Sequence, residues 1–354
     1  MSSAPRDTNL SAVLQSVKNL RLEEMPIPQP GPNEVQIAVQ KVGICGTDVH
    51  FWQSGHMGDY LLKAPVVLGH EASGIVSAVG EGVTSLKIGD RVAIEPGVPC
   101  GRCEYSKEGR YNLCPHVKFC AQPPFHGTLT RYYVHDASFC YKLPDNVSLE
   151  EGALCEPLAI AVHSCRRAGI EIGHKVLVCG AGPIGLVNVL AARAMGASKI
   201  VITDVVEDRL KFAKELGADH TINVAGKNAK AVAALVEEAL GRHADCTIEC
   251  SGFETSQAAA IYSTKSGGCV VLVGMGAMEN KLPVMDALCR EVDLRGSFRL
   301  LNCYPMALEM MASGRVDAKP LVTHRYALEQ ALDAFETART GAGIKVIIDC
   351  SRQQ

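Results

Sequence analysis

The chain has 354 residues, 47% apolar and 21% charged, with a formal net charge of -3. That length exceeds what one hydrophobic core usually serves, and the balance is that of an ordinary globular protein. The near-neutral charge and the lack of any Lys/Arg-rich run argue against nucleic acid or an anionic membrane surface as a partner.

The start of the chain, with Pro5, Arg6 and Asp7, is polar. It lacks a basic segment followed by an apolar core, so no secretory signal is expected and the location implied is cytoplasmic. From about residue 10 to 143, short Val-, Ile- and Tyr-containing runs (35–39, 74–79, 91–94, 131–134) alternate with Gly, Pro, Asn and Asp clusters. That spacing predicts a barrel or sandwich of short strands. Near residue 149 the pattern changes. A helix is expected over 150–168, then a buried strand over 175–179, a helix over 183–194 and a strand over 199–203. A helix over 207–216 should stop at Gly217. Further strands are expected over 221–224, 246–250, 269–274 and 294–298. Strands alternating with helices imply a doubly wound parallel sheet. Two amphipathic helices, over 305–312 and 328–339, precede a last strand over 345–349, which is expected to return to the first domain. The boundaries implied are 1–158 with 296–354 for one domain and 159–295 for the other.

The most apolar stretch, 176–203, is broken by Gly180, Gly182, Pro183, Gly185, Arg193 and Gly196. It never reaches the roughly 18 apolar residues of a membrane span. Fifteen cysteines are many, but a disulfide framework belongs to short secreted chains. Most of them, such as Cys179, Cys246, Cys250 and Cys269, lie in apolar runs and read as small core residues.

Two motifs carry chemistry. After the strand at 175–179 comes Gly180-Ala181-Gly182-Pro183-Ile184-Gly185, a G-x-G-x-x-G that opens a helix. Gly180 permits the tight turn, Gly182 lets backbone N–H groups approach a pyrophosphate, and Gly185 allows close helix–strand packing. Asp204 ends the next strand, where a carboxylate accepts bonds from ribose hydroxyls and repels a 2′-phosphate. NAD is therefore expected over NADP. Arg209, a turn later, could cover the adenine or simply be solvated. The second motif combines Cys45, His70, Glu71 and Glu156. Zinc takes thiolate, imidazole and carboxylate, and a catalytic site keeps a position open. Spacing alone leaves a structural reading of these residues as open as a metal one.

Taken together, Gly43-Ile44-Cys45-Gly46-Thr47-Asp48-Val49-His50, Gly69-His70-Glu71-Ala72-Ser73-Gly74, Glu156-Pro157-Leu158 and the glycine fingerprint resemble the zinc-containing medium-chain dehydrogenase/reductase family, in its polyol branch. The resemblance implies a GroES-like β-barrel catalytic domain with a central Rossmann domain. It implies Cys45, His70 and Glu71 as zinc ligands and Glu156 as a further ligand or the holder of a zinc-bound water. Asp48 would orient His70, and Thr47 and His50 would relay the proton. Arg299, with Phe51 and Leu300, would meet the substrate; the latter two stand where tyrosines are familiar. Val273, Gly274, Met275, Ser297, Phe298 and Arg299 would join the glycine turn at the cofactor. The expected reaction is NAD-dependent oxidation of a polyol to a ketose, by a homotetramer. Relatives with a second, structural zinc show C-x-x-C-x-x-C-x7-C. Here the series is Cys100, Cys103, Ser106, Cys114, so one zinc per chain is expected.

Overall fold

The computed structural model describes residues 8–58 and 60–351; the polar start containing Pro5, Arg6 and Asp7 lies outside the described residues. The chain divides into two compact units. One runs to Glu156 and resumes at Ala318; the other is Pro157–Asp317. The sequence placed the second boundary at 296. The helix Tyr304–Ala312 instead stays with the second unit, and the chain returns to the first from Ala318, with the helix Ala331–Thr340 and the strands Val322–Ala327 and Lys345–Asp349.

In the first unit, Thr8–Ser16 pairs with Asn19–Pro26 and with Val66–Val67. The larger sheet has the order Cys140–Lys142, Arg91–Ile94, Glu71–Val79, Glu34–Gly43, Lys345–Asp349, Val322–Ala327, and Tyr132–Asp136 also pairs with Glu34–Gly43. The late strand Lys345–Asp349 runs antiparallel to Glu34–Gly43, with Ile347 opposite Gly43 and Asp349 opposite Lys41. Leu14, Val35, Ile37, Val42, Leu68, Ile94, Phe335 and Ile348 fill the core between these strands. Alternating inward and outward side chains along each strand make this possible.

In the second unit six parallel strands have the order His220–Asn223, Lys199–Asp204, Lys175–Cys179, Ala244–Glu249, Thr264–Leu272, Asp293–Gly296. Numbered within the unit this is 3-2-1-4-5-6, the doubly wound order of dinucleotide-binding sheets. The order reverses between Lys175–Cys179 and Ala244–Glu249, where the glycine turn begins. Val176, Leu177, Val178, Ile200, Val201, Ile202, Ile248, Val270 and Val271 are fully buried, as expected of strands enclosed in a parallel sheet.

Three local differences from the sequence reading have simple causes. The expected helix over 150–168 is two helices, Leu149–Ala153 and Cys155–Ala168. The first is set by Ser148 and Glu151, each bonding the other's backbone N–H, at 3.2 and 2.9 Å. Residues 46–50, where the pattern over 43–50 suggests only a strand end and turn, belong to the helix Gly46–Ser54, whose start is closed by the Cys45 N–H donating to Asp48 Oδ2 at 3.3 Å. The helix Ala229–Leu240 was not anticipated, although Asn228 caps it by accepting from the Ala231 N–H at 2.9 Å and Gly241 ends it in the left-handed region.

Candidate functional site

Cys45 and the helix Gly46–Ser54 follow the strand Glu34–Gly43, while His70 and Glu71 sit at the start of the neighbouring strand Glu71–Val79. Pairing of these strands puts Gly43 directly opposite Glu71. The Cys45 sulfur, a His70 ring nitrogen and a Glu71 carboxylate oxygen consequently lie within 4.8 Å of one another. Such separations suit one ion with bonds of about 2.0–2.3 Å. The donor set of thiolate, imidazole and carboxylate is one that zinc accepts, so these residues fit the metal.

The surroundings orient the donors. Asp48 is buried, and its Oδ1 lies 3.3 Å from His70 Nδ1 and accepts from the Gly69 N–H at 3.2 Å. This leaves His70 Nε2 toward the cluster, with Thr47 Oγ1 at 3.5 Å from it. Burial works against a charged His70, but Asp48 and Cys45 outweigh it and hold its pKa well above the ordinary value. His50 lies on the same helix, exposed, its ring edge-on to that of His56 at 5.5 Å.

The sequence reading missed two residues here. Lys345 is 4% exposed and donates to both Glu71 oxygens, at 2.8 and 2.7 Å, and to the Ile44 carbonyl at 3.3 Å. Burial opposes its charge, yet Glu71 and then Cys45 keep its pKa above the ordinary lysine value. A lysine opening an otherwise apolar strand was the available signal. Gly43 is the second: a Cβ there would stand 2.1 Å from Glu71 Oε2. Only glycine leaves room for that carboxylate.

Glu156 is buried at the start of Cys155–Ala168 but does not belong to the three-donor group, so it is not placed as a direct ligand. Burial pushes its carboxyl up to about 7; His70 pulls the other way and Glu71 adds to the rise. Phe51, expected at the substrate, is 3% exposed and packs in the core of the first unit.

The second unit collects the cofactor candidates. Gly180 has φ +96°, a Cβ on Gly185 would stand 1.8 Å from the Gly180 carbonyl, and a Cβ on Gly182 would meet nothing within 4 Å. The first two requirements shape the turn. The third leaves open space beside the N-terminus of Pro183–Ala194, where Pro183, Ile184 and Gly185 begin the helix. Asp204 accepts from the Ala181 N–H at 2.6 Å and from the Val206 N–H at 2.8 Å, which ties the ribose candidate to the glycine turn. Arg209 is half-buried on Glu207–Glu215. Val273, Gly274 and Met275 follow the strand Thr264–Leu272. Ser297 Oγ is buried without a hydrogen-bond partner among the described residues. An orphaned hydroxyl, an open glycine and a helix N-terminus fit a dinucleotide. Arg299 has φ +56° and stacks its guanidinium 4.6 Å from the Phe298 ring, while the neighbouring Leu300 is buried.

A separate group comprises the sulfurs of Cys100, Cys103 and Cys114, also within 4.8 Å of one another. Backbone N–H bonds from Arg102 and Cys103 draw the Cys100 thiol down to about 6.

The family described as "Alcohol dehydrogenase GroES-like domain" matches residues 31–145, and that described as "Zinc-binding dehydrogenase" matches residues 183–313. The chain is 56% identical over 348 residues to sorbitol dehydrogenase of Bos taurus, covering 98% of each. It is 53% identical over 350 residues to sorbitol dehydrogenase of Homo sapiens, covering 99% of this chain and 98% of that one. A solved Escherichia coli oxidoreductase of unknown specificity superposes with a TM-score of 0.91 at 39% identity, over 97% of this chain and 99% of that chain. With an α/β fold built from a GroES-like domain and a doubly wound domain, the chain belongs to the zinc-containing medium-chain dehydrogenase/reductase family.

Proposed function

We propose that this chain oxidises the C2 secondary alcohol of sorbitol and related polyols to the ketose, reversibly, with NAD. The observation that carries the reading is the Cys45–His70–Glu71 donor group in a chain 56% identical, end to end, to a sorbitol dehydrogenase. Bound zinc supplies Lewis acidity toward the alcohol oxygen, and bound NAD accepts the hydride. Cys45, His70 and Glu71 would hold the metal, three protein donors being the number typical of a catalytic zinc. Asp48 fixes the His70 ring through Nδ1. Glu156, with its raised pKa, is suited to taking up the substrate's hydroxyl proton near neutral pH, directly or through a water. Thr47, beside His70, and exposed His50 give that proton a way out.

On the cofactor side, Gly180, Gly182, Pro183, Ile184 and Gly185 receive the pyrophosphate, and Asp204 receives the adenosine ribose. Arg209, Val273, Gly274, Met275, Ser297 and Phe298 complete the cofactor's surroundings. Arg299, held in an unusual backbone conformation, is assigned to polyol hydroxyls; Leu300 flanks it. Initial rates over sorbitol, xylitol, L-iditol and arabinitols, with NAD and NADP, test the reading. Preference for a simple monoalcohol, or equal use of NADP, would overturn it.

The assembly proposed is a homotetramer. The resemblance implies pairing of the doubly wound units through an edge strand, over 269–274 or 294–298; of these the strand Thr264–Leu272 is interior, flanked on both sides, whereas Asp293–Gly296 is an edge. Its Leu294, and Val284, Met285 and Leu288 just before it, are exposed apolar side chains, as a contact surface requires. Sedimentation showing only monomer would refute it. No helix of the described residues is long and apolar enough to cross a membrane. All fifteen cysteines are free thiols, which supports a cytoplasmic location.

A further inference from the structure

The segment between Ile94 and Tyr132 gathers three sulfurs that the dehydrogenase reaction does not use. Cys103 N–H donates to Cys100 Sγ, Ser106 N–H to Cys103 Sγ and Cys100 N–H to Cys114 Sγ, each at 3.4 Å. Every sulfur therefore accepts a backbone N–H, the arrangement that stabilises thiolates. Cys114 is buried and anchors the group, while Cys100 and Cys103 are half-buried and leave a way in for an ion. Ser106 Oγ stands 3.1 Å from Cys103 Sγ and 4.0 Å from Cys100 Sγ. The side chain beside the two half-buried sulfurs is thus a neutral hydroxyl rather than a fourth thiolate.

That composition discriminates between metals. A closed zinc site takes four good donors in a tetrahedron, and a hydroxyl is a poor one at neutral pH. Soft thiolate ligands with no strong fourth donor suit a soft monovalent ion. We propose that Cys100, Cys103 and Cys114 form a three-thiolate binding site for monovalent copper, independent of the Cys45–His70–Glu71 group. Binding joins three sulfurs to the ion as the thiols give their protons to solvent; no electron is transferred.

The test uses the zinc-loaded protein under anaerobic conditions, titrated with monovalent copper in the presence of a competing copper chelator. Metal content is read by elemental analysis and thiolate–copper bonding by near-ultraviolet absorption. The expected result is one copper per chain, with the catalytic zinc and the dehydrogenase activity retained. A Cys100→Ser/Cys103→Ser double variant should lose that copper, and Cys289→Ser, at an exposed thiol elsewhere, should keep it. Ser106→Cys restores a fourth thiolate and should turn the site toward zinc, giving two zincs per chain after dialysis. This gain is readable even if the double variant folds poorly. Two tightly held zincs in the unaltered protein would overturn the proposal, as would failure to hold copper against the chelator or retention of the same copper by the double variant.

Discussion

Lys345 Nζ lies 2.7 and 2.8 Å from the two oxygens of Glu71, an ion pair whose partners are 5% and 1% exposed at the side chain. The lysine offsets negative charge where Cys45, Glu71 and Glu156 converge, and it restrains a carboxylate that also faces the metal position. Removing one member of a buried pair leaves the other uncompensated, at a cost of about 3–5 kcal/mol. Lys345→Met should destabilise the zinc-free protein by that order and the zinc-loaded protein distinctly less, since the ion then compensates Glu71. Denaturant unfolding of both forms checks this; equal losses would show that the pairing has no bearing on the metal.

Gly43 makes the companion case by shape. A Cβ 2.1 Å from Glu71 Oε2 must displace the carboxylate. Gly43→Ala should cost roughly 1–3 kcal/mol through overpacking and lower zinc content after dialysis. Full zinc occupancy in the variant would show that Glu71 can be repositioned without loss.

Glu156→Gln keeps the shape and removes the proton acceptor. Zinc and NADH binding should persist while kcat drops by about 10² to 10⁴-fold, the usual contribution of a positioned acid–base group. Loss of zinc would instead make Glu156 an obligatory ligand. An unchanged kcat would reduce it to a residue at a helix start.

Asp204→Ala removes both the ribose acceptor and the bond to the Ala181 N–H. Loss of charge-assisted bonds of about 1.5–3 kcal/mol should lower kcat/KM for NAD by roughly tenfold or more. The ratio of NAD to NADP efficiency should fall with it. An unchanged ratio would remove Asp204 from cofactor choice.

Stability should also depend on three histidines. Burial, reinforced by Arg167 and Arg166, lowers His163 to about 4, and burial lowers His126 and His135 as well. Between pH 4 and the ordinary value of about 6.5, the unfolded chain binds protons that the folded chain does not. Stability is therefore present above that window and is lost as pH falls through it. His163→Gln should flatten the slope by roughly 1–3 kcal/mol across the window. Unfolding curves at several pH values would show an unchanged slope if His163 were not involved.

The second unit was legible because its strands are continuous apolar runs and its glycine turn has a fixed spacing. Each buried strand from 175 to 250 follows from local pattern. The zinc donors were legible only as a resemblance, since Cys45 and Glu71 meet through strand pairing that no local spacing reveals. Lys345 was harder still. Its partner is 274 residues away, and a lone lysine beside Val346, Ile347 and Ile348 reads locally as an edge residue rather than a counter-charge. The misplaced boundary at 296 has a similar origin: an amphipathic helix shows that it has a buried face, but not which core covers it.

The late strand Lys345–Asp349 has a consequence for biosynthesis. The proposed metal-holding residues at 45, 70 and 71 emerge early from the ribosome, yet Glu71 stays without its counter-ion, and Glu34–Gly43 without one neighbour, until residue 345 follows. Non-local pairing of this kind is slow because a long loop must close first. The doubly wound unit, Pro157–Asp317, is synthesised in full before Lys345, so Glu71 gains its counter-charge only at the last stage of synthesis.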